Sequence, residues 1–164
     1  MKFHLIDKVL AISDDRLTAT KRVNADEDYL ADHFPTFPVL PGVLMLEALV
    51  QAGMWLVHRR RSFDCSMIVL KEARNVKYGQ FVRPGDDLQV EVELVRSTPA
   101  GALLKGNGTV RGRPAVSARI ELACFNLADR DPELAPIDRQ LRRRFEARWP
   151  LIAPPADAGP LSAP

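Results

Sequence analysis

Short apolar runs, separated by turn-forming residues, lie on both sides of one long apolar segment. We predict strands at residues 3–12, 16–24, 66–78, 87–97, 102–111 and 115–127, because these runs are rich in Val, Leu and Ile. The segment from Gly42 to about Arg60 is almost continuously apolar, and a run of this length favours a buried helix. Short turns between successive strands imply antiparallel pairing. The pattern predicts an α+β fold, an antiparallel β-sheet wrapped around a long central apolar helix.

The segment just before this helix, Asp26 to Pro41, is predicted to be a stiff loop. It carries Pro35, Pro38 and Pro41, and prolines at this density exclude both a helix interior and a central strand. Such a loop holds side chains in place without regular secondary structure.

The character of the chain changes after residue 128. Ile137, Leu141 and Phe145 recur every four residues in a highly charged segment, which predicts a short amphipathic helix that Trp149-Pro150 should end. The residues from Pro150 onward are rich in Pro and Ala and are predicted to form a flexible tail. We therefore divide the chain into a folded domain at 1–128 and a charged helical segment with its tail at 129–164.

Composition limits the classes of function. A chain of 164 residues fits one domain, and its net charge of +2 is too small to indicate a nucleic-acid partner. Cys65 and Cys124 share no spacing typical of a metal or redox motif, so two buried free thiols in a reducing compartment are expected. With no signal-peptide pattern and no apolar run of about 20 residues, we expect a soluble cytoplasmic protein without a membrane span.

Glu47 is the only charged residue between Gly42 and Val57 of the predicted helix. A carboxyl group in apolar surroundings is costly unless it is paired, protonated or at the edge of a cavity. One interpretation is therefore a general acid, since such surroundings favour its neutral form. The alternative is a Glu on an exposed helix face or in a structural ion pair.

Two further features lie just before or at the start of the helix. His33 stands in the proline-rich loop just before the long helix, and a lone histidine in a loop is more often an exposed or hydrogen-bonded residue than a catalytic one. Gly42 begins the helix, where N–H groups without intrahelical partners bind an anion or a polarised carbonyl oxygen; simple helix initiation explains it equally well. We interpret His4, in a predicted strand, and His58, at the helix end, as structural.

Together these residues form a long motif, His33-Phe34-Pro35-x-x-Pro38-x-x-Pro41-Gly42-Val43-Leu44-x-x-Glu47-Ala48-x-x-Gln51-Ala52. It resembles the FabZ-type 3-hydroxyacyl-(acyl carrier protein) dehydratases, in which a similar stretch links the catalytic loop to the central helix. Arg83-Pro84-Gly85-Asp86 is similar to the turn that precedes a long strand in that family. The resemblance implies a hotdog fold over about residues 1–127. Thr36 stands where the family usually has glycine, and the segment after residue 128 has no counterpart in the short bacterial enzymes.

The resemblance implies an activity and roles for individual residues. The activity is reversible dehydration of (3R)-3-hydroxyacyl chains on acyl carrier protein to trans-2-enoyl chains, in fatty acid or related lipid biosynthesis. His33 matches the base that acts at C2, and Glu47 matches the carboxyl group that protonates the departing C3 hydroxyl. The N–H of Gly42 would hold the thioester oxygen. Glu rather than Asp at position 47 implies dehydration without isomerisation.

Three other residues are assigned to the substrate side of the site. Phe34 and Phe37 offer an apolar wall beside His33. Gln51 lies one helical turn after Glu47, on the same face, and either orients its carboxyl group or is a core polar residue hydrogen-bonded elsewhere.

The resemblance also implies partners. We expect acyl carrier protein as a partner, no metal or other cofactor, and a homodimer, possibly a hexamer, in which His33 and Glu47 of one site come from different subunits. Because carrier proteins are acidic, a basic rim is expected. The candidates for this rim are Arg59, Arg60, Arg61, Lys71, Arg74, Lys77 and Arg83. Two alternatives remain open: a non-catalytic acyl-binding or accessory hotdog protein, and a dehydratase specialised for polyketide-type chains.

Overall fold

The strands pair in an antiparallel sheet whose spatial order differs from their order along the chain. A computed structural model describes residues 3–34 and 36–154. Within these residues the strands are β1 (Lys8–Ile12), β2 (Arg16–Arg22), β3 (Met67–Tyr78), β4 (Asp87–Thr98), β5 (Gly101–Val110) and β6 (Arg113–Phe125). The helices are α1 (Tyr29–Asp32), α2 (Gly42–Arg60) and α3 (Ala135–Ile152), with single 3-10 turns at Leu127–Asp129 and Pro132–Leu134. The sheet order is β1-β2-β4-β5-β6-β3.

The apolar helix α2 packs against the sheet along its whole length, with contacts to every strand from β2 to β6. Leu49 and Leu56 are fully buried in this layer. Gly106 of β5 lies opposite Leu49, and a Cβ atom at that glycine would stand only 3.3 Å from the Cβ of Leu49. The absence of a side chain at Gly106 therefore allows the helix to approach the sheet closely. The prediction of a sheet wrapped around a buried central helix is confirmed.

One predicted strand starts later than expected. β1 begins at Lys8 rather than at residue 3, whereas the ends of the other strands agree with the prediction within two residues. The backbone groups of Phe3 and Leu5 bond to the side chain of Gln51 on α2 instead of to a neighbouring strand. Because those backbone groups are already paired by the helix, Phe3 to Leu5 lie against α2. Pairing with β2 starts at Asp7, whose N–H donates to the carbonyl of Thr20 at 2.9 Å.

The loop before α2 contains one turn of helix, α1, which ends just before His33. Beyond it, the N–H of Phe37 donates to the carbonyl of Phe34 at 2.7 Å, and Phe34 has a φ of +51°. The N–H of Leu40 then donates to the carbonyl of Val82 at 2.8 Å, which ties the end of the loop to the segment before β4. Pro35, one of the prolines on which the loop prediction rests, lies outside the described residues.

The C-terminal helix is longer than predicted. The expectation that Trp149-Pro150 ends it was wrong, because α3 continues through Pro150 to Ile152. The N–H of Ala153 donates to the carbonyl of Trp149 at 2.8 Å, and Ile152 is buried in the core. Burial of Ile152 offsets the hydrogen bond that the proline cannot make. Residues 155–164 of the predicted tail lie outside the described residues.

Asp138 fastens the start of α3 to the end of the sheet. Its carboxylate accepts hydrogen bonds from the N–H groups of Leu127 and Ala128, each at 2.9 Å, and from the hydroxyl of Ser66. Burial alone would raise the pKa of this carboxyl group, but these donors outweigh burial and lower its pKa below the ordinary value. The ionised carboxylate therefore joins α3 to the residues that follow β6 and precede β3.

The two cysteines, Cys65 and Cys124, are free and buried, as predicted. In the ranges that the structure describes, no helix is both long and apolar enough to cross a membrane.

We expect Asp138→Ala to destabilise the protein, because it leaves three buried donors without their acceptor. Thermal unfolding should show a Tm several degrees below that of Glu146→Ala, a control at an exposed position of the same helix. Equal Tm values for the two variants would contradict this role for Asp138.

Candidate active site

Glu47 is half-buried on α2, and Gln51 holds its carboxyl group. The side-chain Nε2 of Gln51 donates to Oε1 of Glu47 at 2.9 Å and to the carbonyl oxygen of Phe3 at 2.9 Å. The N–H of Leu5 donates to Oε1 of Gln51 at 2.9 Å. The backbone therefore fixes which end of the amide is the donor, since Leu5 offers an N–H and Phe3 a carbonyl. The side chain of Gln51 is thus hydrogen-bonded to the backbone, and these bonds direct its NH₂ group to Glu47.

A cavity of about 170 Å³ borders this carboxyl group, and we call it the Glu47 cavity. Helix α2, the segment before β1 and helix α3 each contribute to its wall. The lining residues are Glu47, Gln51, Met54 and Trp55 of α2, Phe3, His4 and Ile6 of the N-terminal segment, and Phe145 and Arg148 of α3. Most of them are apolar, so the cavity is suited to a hydrocarbon chain that ends beside a carboxyl group.

His33 does not lie on α2 but directly follows the short helix α1. Its N–H donates to the carbonyl of Tyr29 at 3.1 Å, and its half-buried ring lies 4.5 Å from the ring of Phe34, between centroids. Among the described residues, no hydrogen bond, ion pair or ring contact joins His33 to Glu47.

The N-terminus of α2 presents the N–H of Gly42. The N–H groups of Leu44 and Met45 both donate to the carbonyl of Pro41, at 2.9 and 3.1 Å, so Gly42 precedes the first hydrogen bond of the helix. The ring of Tyr78 lies against this point, and a Cβ atom on Gly42 would stand 3.1 Å from its Cε1. A side chain at position 42 would displace that ring.

Aromatic residues and one arginine surround the loop that carries His33. Phe34 and Phe37 are exposed, and the ring of Phe37 meets that of Phe81 edge-on at 5.6 Å. The guanidinium of Arg83 lies 4.7 Å from the centroid of Phe37. This contact is a cation–π interaction that links the predicted basic rim to the loop.

The other candidates for the basic rim differ in position. Arg59, Arg60 and Arg61 lie at the opposite end of α2 from Gly42, and a helix of 19 residues is roughly 28 Å long. Lys71 and Arg74 of β3 form ion pairs with neighbouring glutamates, each at 2.7 Å. Arg83 is therefore the candidate that the structure places beside the His33 loop.

The sequence did not indicate that Tyr78 lies against Gly42, or that Phe145 and Arg148 line the Glu47 cavity. Tyr78 meets Gly42 only because the sheet brings the end of β3 to the start of α2, and no local pattern indicates this. Phe145 was recognised as part of an amphipathic helix. Trp149 follows Phe145 by four residues and so continues the apolar spacing of that helix. This continuation indicates that the packed face of α3 reaches Trp149.

Comparison with known proteins defines the class. A family model described as a FabA-like domain matches residues 1–119. Curated proteins named 3-hydroxyacyl-(acyl-carrier-protein) dehydratase FabZ are similar over most of the chain. The protein of Lactococcus lactis subsp. cremoris is 35% identical over 121 residues, 74% of this chain and 84% of its own. That of Solibacter usitatus is 34% identical over 137 residues, 82% of this chain and 83% of its own.

The chain therefore belongs to the FabA-like family, and the resemblance to FabZ-type dehydratases is confirmed. Solved structures show the fold. The dehydratase heterocomplex ApeI:P from Xenorhabdus doucetiae matches with a TM-score of 0.65 at 21% identity, over 81% of this chain and 90% of that chain. A hypothetical thioesterase with coenzyme A from Streptococcus pneumoniae matches with a TM-score of 0.54 at 16% identity, over 73% and 85% of the two chains. The predicted hotdog fold is confirmed.

The two remaining histidines have different surroundings. His58 is completely buried, with its ring 4.3 Å from that of Phe145 and 5.6 Å from that of Phe63. Burial lowers its pKa to about 4, although nearby Asp64 acts in the opposite direction. His58 is structural, as predicted. His4 does not lie in a strand, as was expected, but precedes β1 and lines the Glu47 cavity.

We expect His58 to make the protein less stable in mild acid. Its pKa is 6.5 when unperturbed and about 4 in the fold, so only the unfolded chain gains this proton as pH falls from 6.5 to 4. Stability should be complete above pH 6.5 and fall by about 3 kcal/mol across that window. Urea unfolding at several pH values measures the effect, and His58→Phe should show a flatter profile. Parallel profiles for the two proteins would contradict the prediction.

Proposed function

We propose that this protein catalyses the reversible dehydration of (3R)-3-hydroxyacyl chains carried on acyl carrier protein, as part of fatty acid or related lipid biosynthesis in the cytoplasm. The observation that carries the proposal is the carboxyl group of Glu47, held by Gln51 at the edge of an apolar cavity in a chain of this family. Relatives that bear the name of this activity support it.

The proposed chemistry removes one water molecule from C2 and C3. The thioester carbonyl acidifies the C2 proton, which His33 takes as general base. The electron pair left at C2 forms the C2–C3 double bond as the C3–O bond breaks, and Glu47 protonates the departing hydroxyl group. The N–H of Gly42 binds the thioester oxygen while negative charge develops on it. In hydration the same groups act in reverse.

The lack of contact between His33 and Glu47 in one chain supports a site that two subunits share. β3 pairs with β6 along one edge only, and its other edge carries the partly exposed Val69 and Leu70. An unpaired edge strand with apolar side chains is a template for strand pairing with a second chain. We propose that two copies join at β3 and that each site takes His33 from one copy and Glu47 from the other.

We propose that the acyl carrier protein docks near Arg83. This arginine lies on Phe37 in the loop that carries His33, and it shares a cleft of about 420 Å³ with Arg111, Arg113 and Asp86, whose carboxylate pairs with Arg111 at 2.6 Å. A cationic cleft beside the catalytic loop suits an acidic carrier protein and the phosphate of its prosthetic arm.

Complementation between two inactive variants tests both the activity and the shared site. His33→Ala and Glu47→Gln should each lower the rate of crotonyl thioester hydration by roughly 10²- to 10⁴-fold. In a mixed dimer, one site has lost both groups while the other keeps both, so subunit exchange at equal concentrations should restore about a quarter of wild-type activity.

Asp32→Ala, an exposed change next to His33, is the control and should keep wild-type activity. Recovery should not occur if both groups of a site come from the same chain. Binding of an acyl chain by a wild-type protein that shows no hydration would instead indicate an acyl-binding protein without turnover.

Gln51→Leu should lower kcat by roughly ten- to a hundredfold while KM changes little, because the carboxyl group of Glu47 loses its fixed position. The pH dependence of kcat should also shift, since the hydrogen bond to Glu47 is lost, and a purely structural defect would not produce this shift. Gln89→Leu, at an exposed position of β4, is the matched control. Unchanged kcat and pH profile in Gln51→Leu would exclude this positioning role.

A further inference from the structure

Helix α3, which lies outside the residues matched by the family model, covers the face of α2 that carries Glu47. On that face Glu47, Trp55 and His58 follow one another at helical spacing. The ring of Phe145 lies 5.7 Å from that of Trp55 and 4.3 Å from that of His58, between centroids. Trp149, one turn further along α3, lies 5.8 Å from Trp55. The helix is therefore packed onto the site through a continuous row of rings.

Two residues of α3 separate the Glu47 cavity from a second space. An outer groove of about 550 Å³ adjoins it, lined by Leu141, Ala147 and Leu151 of α3 among others. Phe145 and Arg148 of α3, with His4 of the N-terminal segment, line both the inner cavity and this groove. The two α3 residues therefore stand between the small space beside Glu47 and a larger apolar one.

The position of this partition matters for an acyl chain. When C2 and C3 lie beside Glu47, the remaining carbons point away from the thioester and have to enter the adjoining space. Phe145 blocks that space with a ring packed on two neighbours, and Arg148 adds a charge that an apolar chain would have to desolvate in order to pass.

We propose that Phe145 and Arg148 form the end wall of the acyl-chain site and thereby set the longest chain that the enzyme accepts. This inference rests on the proposed function and adds to it a specificity-determining element outside the matched family region. The wall admits short chains fully and excludes long ones, and a smaller residue at position 145 joins the cavity to the outer groove.

Chain-length profiles of variants at position 145 test the proposal. Hydration of crotonyl and trans-2-decenoyl thioesters of acyl carrier protein is measured for the wild type, Phe145→Leu and Phe145→Trp. Phe145→Leu should raise the decenoyl-to-crotonyl ratio of kcat/KM by about tenfold, mainly through a lower KM for the longer chain. Phe145→Trp should lower that ratio. Glu146→Ala, at an exposed position of the same helix that lines neither space, should leave the ratio unchanged. Equal ratios in all four proteins would overturn the proposal, because a merely structural role for Phe145 affects both substrates alike.

A binding measurement separates this inference from the proposed reaction. Trp55 and Trp149, the two tryptophans of the chain, lie where α2 meets α3, so their fluorescence reports an occupied cavity. Decanoyl acyl carrier protein, which cannot be dehydrated, should bind Phe145→Leu about tenfold more tightly than the wild type. An unchanged Kd would overturn the end wall, whereas tighter binding without turnover in any of the proteins would support the wall and overturn the dehydratase.

Discussion

Burial of α2 between the sheet and the segments that cover it is the constraint on which the rest of the structure depends. Apolar side chains point from this helix to the strands, and Gly106 allows the closest approach. A carboxyl group facing the sheet would lose its hydration without gaining a partner. Glu47 instead lies on the half-buried strip of α2 that also holds Gln51 and Met54, spaced by four and three residues. The carboxyl group of Glu47 is thus confined to the side of the helix that the sheet leaves open.

Gln51 connects this strip to the N-terminal segment. Its amide spans the carbonyl of Phe3 and the N–H of Leu5, and this leaves one NH₂ hydrogen for Glu47. The same bonds hold Phe3 to Leu5 against α2 and make this segment a wall of the Glu47 cavity. A single side chain therefore organises both the orientation of the carboxyl group and the shape of the space beside it.

Helix α3 completes the enclosure on the remaining side. Asp138 fixes where the helix starts, and the rings of Phe145 and Trp149 fix how it lies on α2. The family-matched part of the chain carries His33, Gly42 and the edge strand β3, whereas α3 lies after it and shapes the far end of the cavity. The proposed reaction and the proposed limit on chain length thus rest on different parts of the protein.

The sequence by itself was enough to predict the central helix, the strands and their turns. A long apolar run, and shorter apolar runs separated by Pro and Gly, are compatible with few other secondary structures. The motif from His33 to Gln51 was long enough to indicate the family, whereas the roles that it assigns to His33 and Glu47 stay predictions. Only the tertiary structure decided that residues 3–6 lie outside the strands, that α3 continues through Pro150, and that Phe145 lines the Glu47 cavity. Each of these depends on partners far apart in the chain, such as Gln51 with Phe3 or Trp55 with Phe145. Local sequence patterns do not predict such contacts, because the free energy that stabilises them comes from packing and hydrogen bonds between segments that are distant in the chain.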